Sequence, residues 1–192
     1  MIGKKKDFYT QRAKDEGMIA RSAYKLKQIN NRFHILKPGN KILDLGCSPG
    51  GWSKLSLDIV GASGSVVGVD TAPVKLKDSR FTFIQADIFE EEILNELERD
   101  FNVVVSDAAP KTTGQRELDR ERSEAIAFYA LKVAEKKLVP GGHFVCKIFQ
   151  GQEYQKFLQK VSKKFHYTRS CKPDASKRES KEMYIVGKGY KG

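Results

Sequence analysis

No stretch of this 192-residue chain holds enough consecutive apolar residues to cross a bilayer, so neither a membrane helix nor a membrane partner is expected. No apolar block follows the polar start Met1-Ile2-Gly3-Lys4-Lys5-Lys6-Asp7 either, which argues against a secretory leader. Cysteine is sparse: Cys47, Cys146 and Cys171 are an odd number, widely separated, with no Cys-x-x-Cys pair. The three histidines, at 34, 143 and 166, lack metal-ligand spacing. No metal site and no disulfide framework are expected, and a reduced, cytoplasmic setting suits the thiols. Acid is also in deficit. Thirty-five Lys and Arg stand against 24 Asp and Glu, a net charge of +11. The excess favours a polyanionic partner, nucleic acid foremost; a basic surface that serves only solubility is the competing reading.

What is present is an ordinary globular composition, 40% hydrophobic, on a length that suits one domain with a buried core. The first twenty residues are basic and lack apolar periodicity, and read as an extension. From Arg21 the pattern changes: Ser22 can cap a helix in which Leu26 and Ile29 share a face. Pro38-Gly39 breaks the chain before a first strand, residues 41–45. Further strands are expected at 65–70, 81–84, 102–105, 143–149, 165–171 and 182–187, with helices at 88–99, 117–138 and 153–163. The run Val103-Val104-Val105 does not alternate, which suits a strand covered on both faces. Alternating strands and helices predict a doubly wound α/β domain, its last two strands an antiparallel edge pair because their short link cannot make a parallel crossover. Pro140-Gly141-Gly142 should stop the long helix before residue 143.

The most informative segment is Asp44-Leu45-Gly46-Cys47-Ser48-Pro49-Gly50-Gly51-Trp52, where the first strand turns toward a helix. Gly46, Gly50 and Gly51 let the backbone turn tightly and approach a ligand. Ser48 breaks the Gly-x-Gly-x-x-Gly dinucleotide fingerprint, and Gly-Gly-Trp stands where a P-loop needs Gly-Lys-Ser/Thr. Acidic residues recur at the expected strand ends: Asp44, Asp70, Asp87 and Asp107. Four carboxylates around a glycine loop suit a cofactor with an amino group, ribose hydroxyls and an adenine amine, and suit a bare phosphate poorly. That is the outline of an S-adenosylmethionine pocket. Each Asp alone could merely cap a helix, and Trp52 could be core packing instead of a cofactor wall.

With these residues in view, the chain resembles the FtsJ/RrmJ family of ribosomal RNA large-subunit 2′-O-methyltransferases. The matching stretches are Arg21-Ser22-Ala23-Tyr24-Lys25-Leu26, Asp44-Leu45-Gly46 with Pro49-Gly50-Gly51-Trp52-Ser53, and Ser106-Asp107 with Ala109-Pro110. Residues Val145 to Gly151, and Lys172-Pro173-Asp174 with Ser176 and Glu182 to Val186, complete the series in the right order. The resemblance implies a single Rossmann-like domain over residues 21–192 with a mostly parallel seven-stranded sheet. It implies S-adenosylmethionine as cofactor and a catalytic tetrad of Lys25, Asp107, Lys147 and Glu182. It also implies a uridine 2′-oxygen in 23S-type rRNA, or in the assembled large subunit, as the acceptor. Cys47-Ser48 departs from the small Ala-Ala pair common there.

A ribose hydroxyl is a weak nucleophile and a reluctant acid, so transfer needs a base or a polarising group at the oxygen. Lys147 is the expected base or orienting group, with Asp107 and Glu182 fixing its ammonium and Lys25 holding the ribose. A lone Lys beside a strand is usually solvated; the flanking Val145-Cys146 and Ile148-Phe149 argue that this one is buried and therefore partnered. Two basic groups are candidate RNA contacts: Lys4, Lys5, Lys6, Arg12, Lys14 and Arg21 with Phe8 and Tyr9, and Lys172, Lys177, Arg178 and Lys181. The polar loop from Ala109 to Gly114 could close over substrate. DNA is not expected as a partner, and a monomer is. Rival readings are a tRNA or mRNA-cap 2′-O-methyltransferase of the same fold, a small-molecule methyltransferase, and a non-catalytic RNA-binding ribosome-assembly factor.

Overall fold

The computed structural model describes residues 19–97, 100–110, 114, 116–177 and 179–192. Residues 1–18, 111–113 and 178, on which the N-terminal basic group apart from Arg21, part of the candidate closing loop and Arg178 fall, lie outside the described residues. The elements run α1 (Ser22–Phe33), β1 (Lys41–Leu45), α2 (Gly51–Val60), β2 (Ser65–Asp70), β3 (Phe81–Gln85), α3 (Glu91–Glu96) and β4 (Phe101–Ser106). Then follow α4 (Arg116–Lys137), β5 (Leu138–Phe149), α5 (Tyr154–Lys164), β6 (Phe165–Cys171) and β7 (Glu182–Tyr190).

The strands form one seven-stranded sheet in the order β3-β2-β1-β4-β5-β7-β6. The first five pair in parallel, while β7 is antiparallel to both β5 and β6. The order reverses between β1 and β4, where an open α/β sheet parts its crossovers and leaves a crevice beyond the strand ends. Both faces are covered. On one, Leu43, Val104, Phe144 and Cys146 pack with Ala130, Val133 and Ala134 of α4 and Phe157 and Val161 of α5. On the other, Ile42, Val103, Val105 and Val145 pack with Leu26 and Ile29 of α1 and Leu57 and Val60 of α2. Val103 and Val104 therefore face opposite cores, which is why β4 is apolar without alternation.

Several boundaries differ from expectation. Arg21, not Ser22, is the N-cap of α1, and no side chain caps it. The helix expected over 88–99 covers only Glu91–Glu96, because Asp87 first makes a turn: its Oδ1 accepts the Phe89 N–H, and its own N–H donates to Glu90 Oε1. Pro140-Gly141-Gly142 ends α4 without separating it from the strand. β5 begins at Leu138 opposite Phe101, and the register shifts before His143 meets Val103, so the extra residues form a bulge.

Candidate active site at the carboxyl edge of the sheet

Gly46 leaves β1 with φ 76°, and a Cβ there would come within 2.5 Å of the Ala108 Cβ. Only glycine lets the loop after β1 pass so close to the loop after β4. Asp70, at the end of β2, ties this loop down: its Oδ2 accepts the Ser48 N–H at 2.9 Å and its Oδ1 the Ala72 N–H at 2.8 Å. The result is a cavity of about 570 Å³ bordered by Gly46, Ser48, Asp70, Asp87, Asp107 and Phe89, among others. That volume is within the range of small-molecule sites.

Asp44 stands one layer deeper, fully buried, with Ser53 Oγ donating to its Oδ2 at 2.6 Å. Its Oδ1 is buried with no hydrogen-bond partner among the described residues. Burial, reinforced by the negative charges of Asp107 and Asp70 and opposed by the Ser53 hydrogen bond, pushes its carboxyl up to about 7. The acid-rimmed cavity fits a cationic, amine-bearing and hydroxyl-bearing ligand, the donor set of S-adenosylmethionine.

Beside this cavity the four residues expected to carry the chemistry meet. β5 and β7 are in register with Lys147 opposite Tyr184, and β4 pairs Ser106 with Cys146, so Asp107 emerges next to Lys147. Lys147 Nζ donates to the Asp107 carbonyl oxygen at 2.6 Å and lies 3.3 Å from Asp107 Oδ1. Its side chain is only 6% exposed, so this pairing is what makes burial of the charge tolerable. Tyr184 Oη donates to Asp107 Oδ1 at 2.7 Å and accepts from Lys25 Nζ at 3.1 Å. Lys25 Nζ in turn lies 2.8 Å from Glu182 Oε1. The polar chain therefore runs Glu182–Lys25–Tyr184–Asp107–Lys147. Burial, with the nearby charges of Asp107 and Glu182, raises the Tyr184 phenol well above its ordinary value, so it stays a proton donor to Asp107.

A second cavity of about 430 Å³ opens on the other end of this chain, lined by Arg21, Ser22, Lys25, Lys177, Ser180 and Glu182. Asp107 borders the first cavity; Lys25 and Glu182 border the second.

The family model described as FtsJ-like methyltransferase matches residues 18–190. The chain is 46% identical over 190 residues to a ribosomal RNA large subunit methyltransferase E of Desulfatibacillum aliphaticivorans, covering 97% of this chain and 92% of that protein. The chain belongs to the FtsJ-like methyltransferase family. Among solved structures, a protein described as a ribosomal RNA methyltransferase from Plasmodium falciparum superposes with TM-score 0.75 at 24% identity, covering 90% of this chain and 98% of that one. Aeropyrum pernix fibrillarin, solved with bound S-adenosyl-L-methionine, superposes with TM-score 0.62 at 18% identity over 86% of this chain and 76% of that one. Both show the same methyltransferase fold.

In this FtsJ-like methyltransferase, of the residues expected to hold the cofactor, Gly46, Asp70, Asp87 and Asp107 line the first cavity, whereas Asp44, Gly50, Gly51 and Trp52 do not. Trp52 is a buried member of the core under α1: its Nε1 donates to the Ser22 carbonyl at 2.8 Å and its ring lies 5.8 Å from that of Tyr184. Gly51 faces Ala20 and Ser22, and Gly50 faces Val74. These three turn α2 against the N-terminal segment instead of touching the cavity. The expected grouping of Asp107 and Glu182 on Lys147 is also revised, since Glu182 pairs with Lys25. Tyr184 was not anticipated. Its signal was available, because strand alternation puts 182 and 184 on one face, but its partners depend on the β5–β7 register.

Proposed function

We propose that the chain methylates a ribose 2′-oxygen, that of a uridine, in large-subunit ribosomal RNA, free or in the assembled subunit, with S-adenosylmethionine as donor. Residues 21–192 would form the methyltransferase domain and residues 1–20 a basic extension. The observation that carries the reading is the polar chain from Glu182 to Lys147, which stands between an acid-lined cavity and a cavity bordered by Arg21 and Lys177. The chain's 46% identity with a large-subunit rRNA methyltransferase supports the choice of acceptor.

Bound in the first cavity, S-adenosylmethionine supplies a methyl group on a positively charged sulfur. Asp70 and Asp87 would hold its hydroxyl and amine groups, and Ile88 and Phe89 would provide an apolar wall. Asp107 directs two positions of the Lys147 nitrogen, through its carbonyl and its carboxylate, leaving one for the ribose oxygen. In the ammonium form that position carries a hydrogen and orients the oxygen; in the amine form it carries a lone pair and takes the hydroxyl proton. Lys25, held by Glu182 and Tyr184, would fix the sugar from the second cavity. Most of the rate would come from alignment of the oxygen with the methyl carbon, which these contacts supply.

The test is methyl transfer to rRNA by Lys147→Ala, with mapping of the modified nucleotide. A fall of about 10²–10⁴-fold is expected, with cofactor affinity by calorimetry near wild type. Wild-type turnover in the variant, or methyl groups mapped only to tRNA, to cap structures or to bases, would overturn the assignment.

A further inference from the structure

Three segments carry no Asp or Glu at all: Ile19 to Leu43, Tyr154 to Pro173, and everything after Glu182. The fold places parts of all three on one face. A groove of about 390 Å³ between α1 and the end of β6 is lined by Gln28, Arg32, Cys171, Lys172 and Asp174, among others. Cys171 packs with Leu26 and Ile29 of α1. Strand alternation then puts Arg169 and Tyr167 on the face that Cys171 occupies, and Lys188 of β7 stands opposite Tyr167. The strand that carries them, β6, is one of the two edge strands of the sheet among the described residues. Tyr167 is 43% exposed, with the Arg169 guanidinium 5.6 Å from its ring centroid. The groove and the strand form a basic strip ending in an exposed ring, which none of the steps above uses.

We infer that this strip is a second RNA-contact surface, at which Arg32 and Arg169 meet phosphates and Tyr167 stacks on an unpaired base. The inference rests on the RNA-methyltransferase reading. RNA fits better than a lipid surface, because a lone tyrosine offers little area to insert. It fits better than an acidic protein because a flat ring beside a guanidinium matches a base and its phosphate together. Its place at the sheet edge, beyond α1, lets it hold a flanking segment of the substrate while the target ribose sits at Lys147.

The experiment measures binding of protein-free large-subunit rRNA transcript to wild type, to Arg32→Gln/Arg169→Gln and to Tyr167→Ala across a salt series. Lys132→Gln, which removes a charge paired with Glu91 on α3, serves as control. The double variant is expected to bind about tenfold more weakly, and its log K against log salt slope to fall by roughly 1.5, about 0.7–0.9 per lost phosphate contact. Tyr167→Ala should weaken binding by roughly 5- to 100-fold with the slope unchanged. Cofactor affinity and kcat at saturating RNA should remain at wild-type values in both. Wild-type RNA affinity in both variants, or an equal loss in the control, overturns the inference alone if the wild type still methylates the RNA. A wild type that binds neither this transcript nor the assembled large subunit overturns both readings.

Discussion

Asp44 shows how a single residue can tie stability to the state of the site. Its carboxyl is fully buried with one oxygen unpartnered among the described residues, and burial pushes it up to about 7. Well below its ordinary value of 3.8, the group carries its proton folded and unfolded alike. As pH rises from about 4 to 7, the unfolded chain releases that proton while the folded one retains it, so stability is lost progressively and levels off above 7. Asp44→Asn removes the ionisation, since the amide oxygen can still accept from Ser53. The unfolding free energy of wild type minus that of Asp44→Asn should therefore fall between pH 4 and 7, by an amount on the order of a few kcal/mol, as denaturant titrations at each pH would measure. A flat difference would mean that Asp44 is not a buried acid. The sequence alone singled out this residue as one of four strand-end carboxylates; that it is buried on Ser53 of α2 while the other three border the cavity was decided by the packing of α2.

Among the elements, α1 has the most direct bearing on chemistry, because it carries Lys25 while α2 holds it in place. The link is Trp52, whose ring supports Tyr184 and whose N–H anchors the first turn of α1 at Ser22. Trp52→Phe should keep most of the packing but lose that hydrogen bond, at a cost of about 1–2 kcal/mol in stability. Because Trp52 does not border the acid-lined cavity, calorimetry should give a cofactor affinity within about twofold of wild type, whereas methyl transfer should slow as Lys25 loses its seat. Loss of cofactor affinity in step with activity would instead return Trp52 to the cofactor site. The helices and strands themselves were legible from periodicity, since α1 and α5 repeat their apolar residues at helical spacing and β4 lacks alternation. Their ends were less so: Asp87 diverted the chain into a turn before α3, and the Pro140 segment was absorbed into β5 as a bulge.

The cavity proposed for the ligand lies at the seam where the strand order reverses, so it has walls from four separate strand ends and exists only in the folded state. Ligand binding must then stabilise the entire domain by mass action. At S-adenosylmethionine about 100-fold above its dissociation constant, the gain is about 2.7 kcal/mol, which for a domain of this size is a rise of roughly 5–10 °C in Tm. Asp70→Asn should shrink that rise, because Asp70 both lines the cavity and holds the Ser48 amide. An unchanged ligand-induced shift in the variant would show that the cofactor binds elsewhere. On the same scale, charge is divided across the molecule. α1 and β6 are free of acid, whereas the segment from Asp87 to Asp119 is rich in it, a separation that net charge reports only as a sum.

Local chemistry was enough for the sequence to determine the alternating α/β order, the glycine loop after β1 and the strand-end acids, whereas the two lysines were singled out by the family resemblance. The order, the loop and the acids follow from residue type and spacing along the chain. Only the tertiary structure decided which lysine each carboxylate holds, that Tyr184 joins them, and that Trp52 supports α1 in place of a ligand. Those contacts join residues from 30 to 159 positions apart, and they depend on the β5–β7 register and the seat of α1. A one-residue slip in that register would reverse the faces of Glu182 and Tyr184 and leave every local signal in the sequence unchanged.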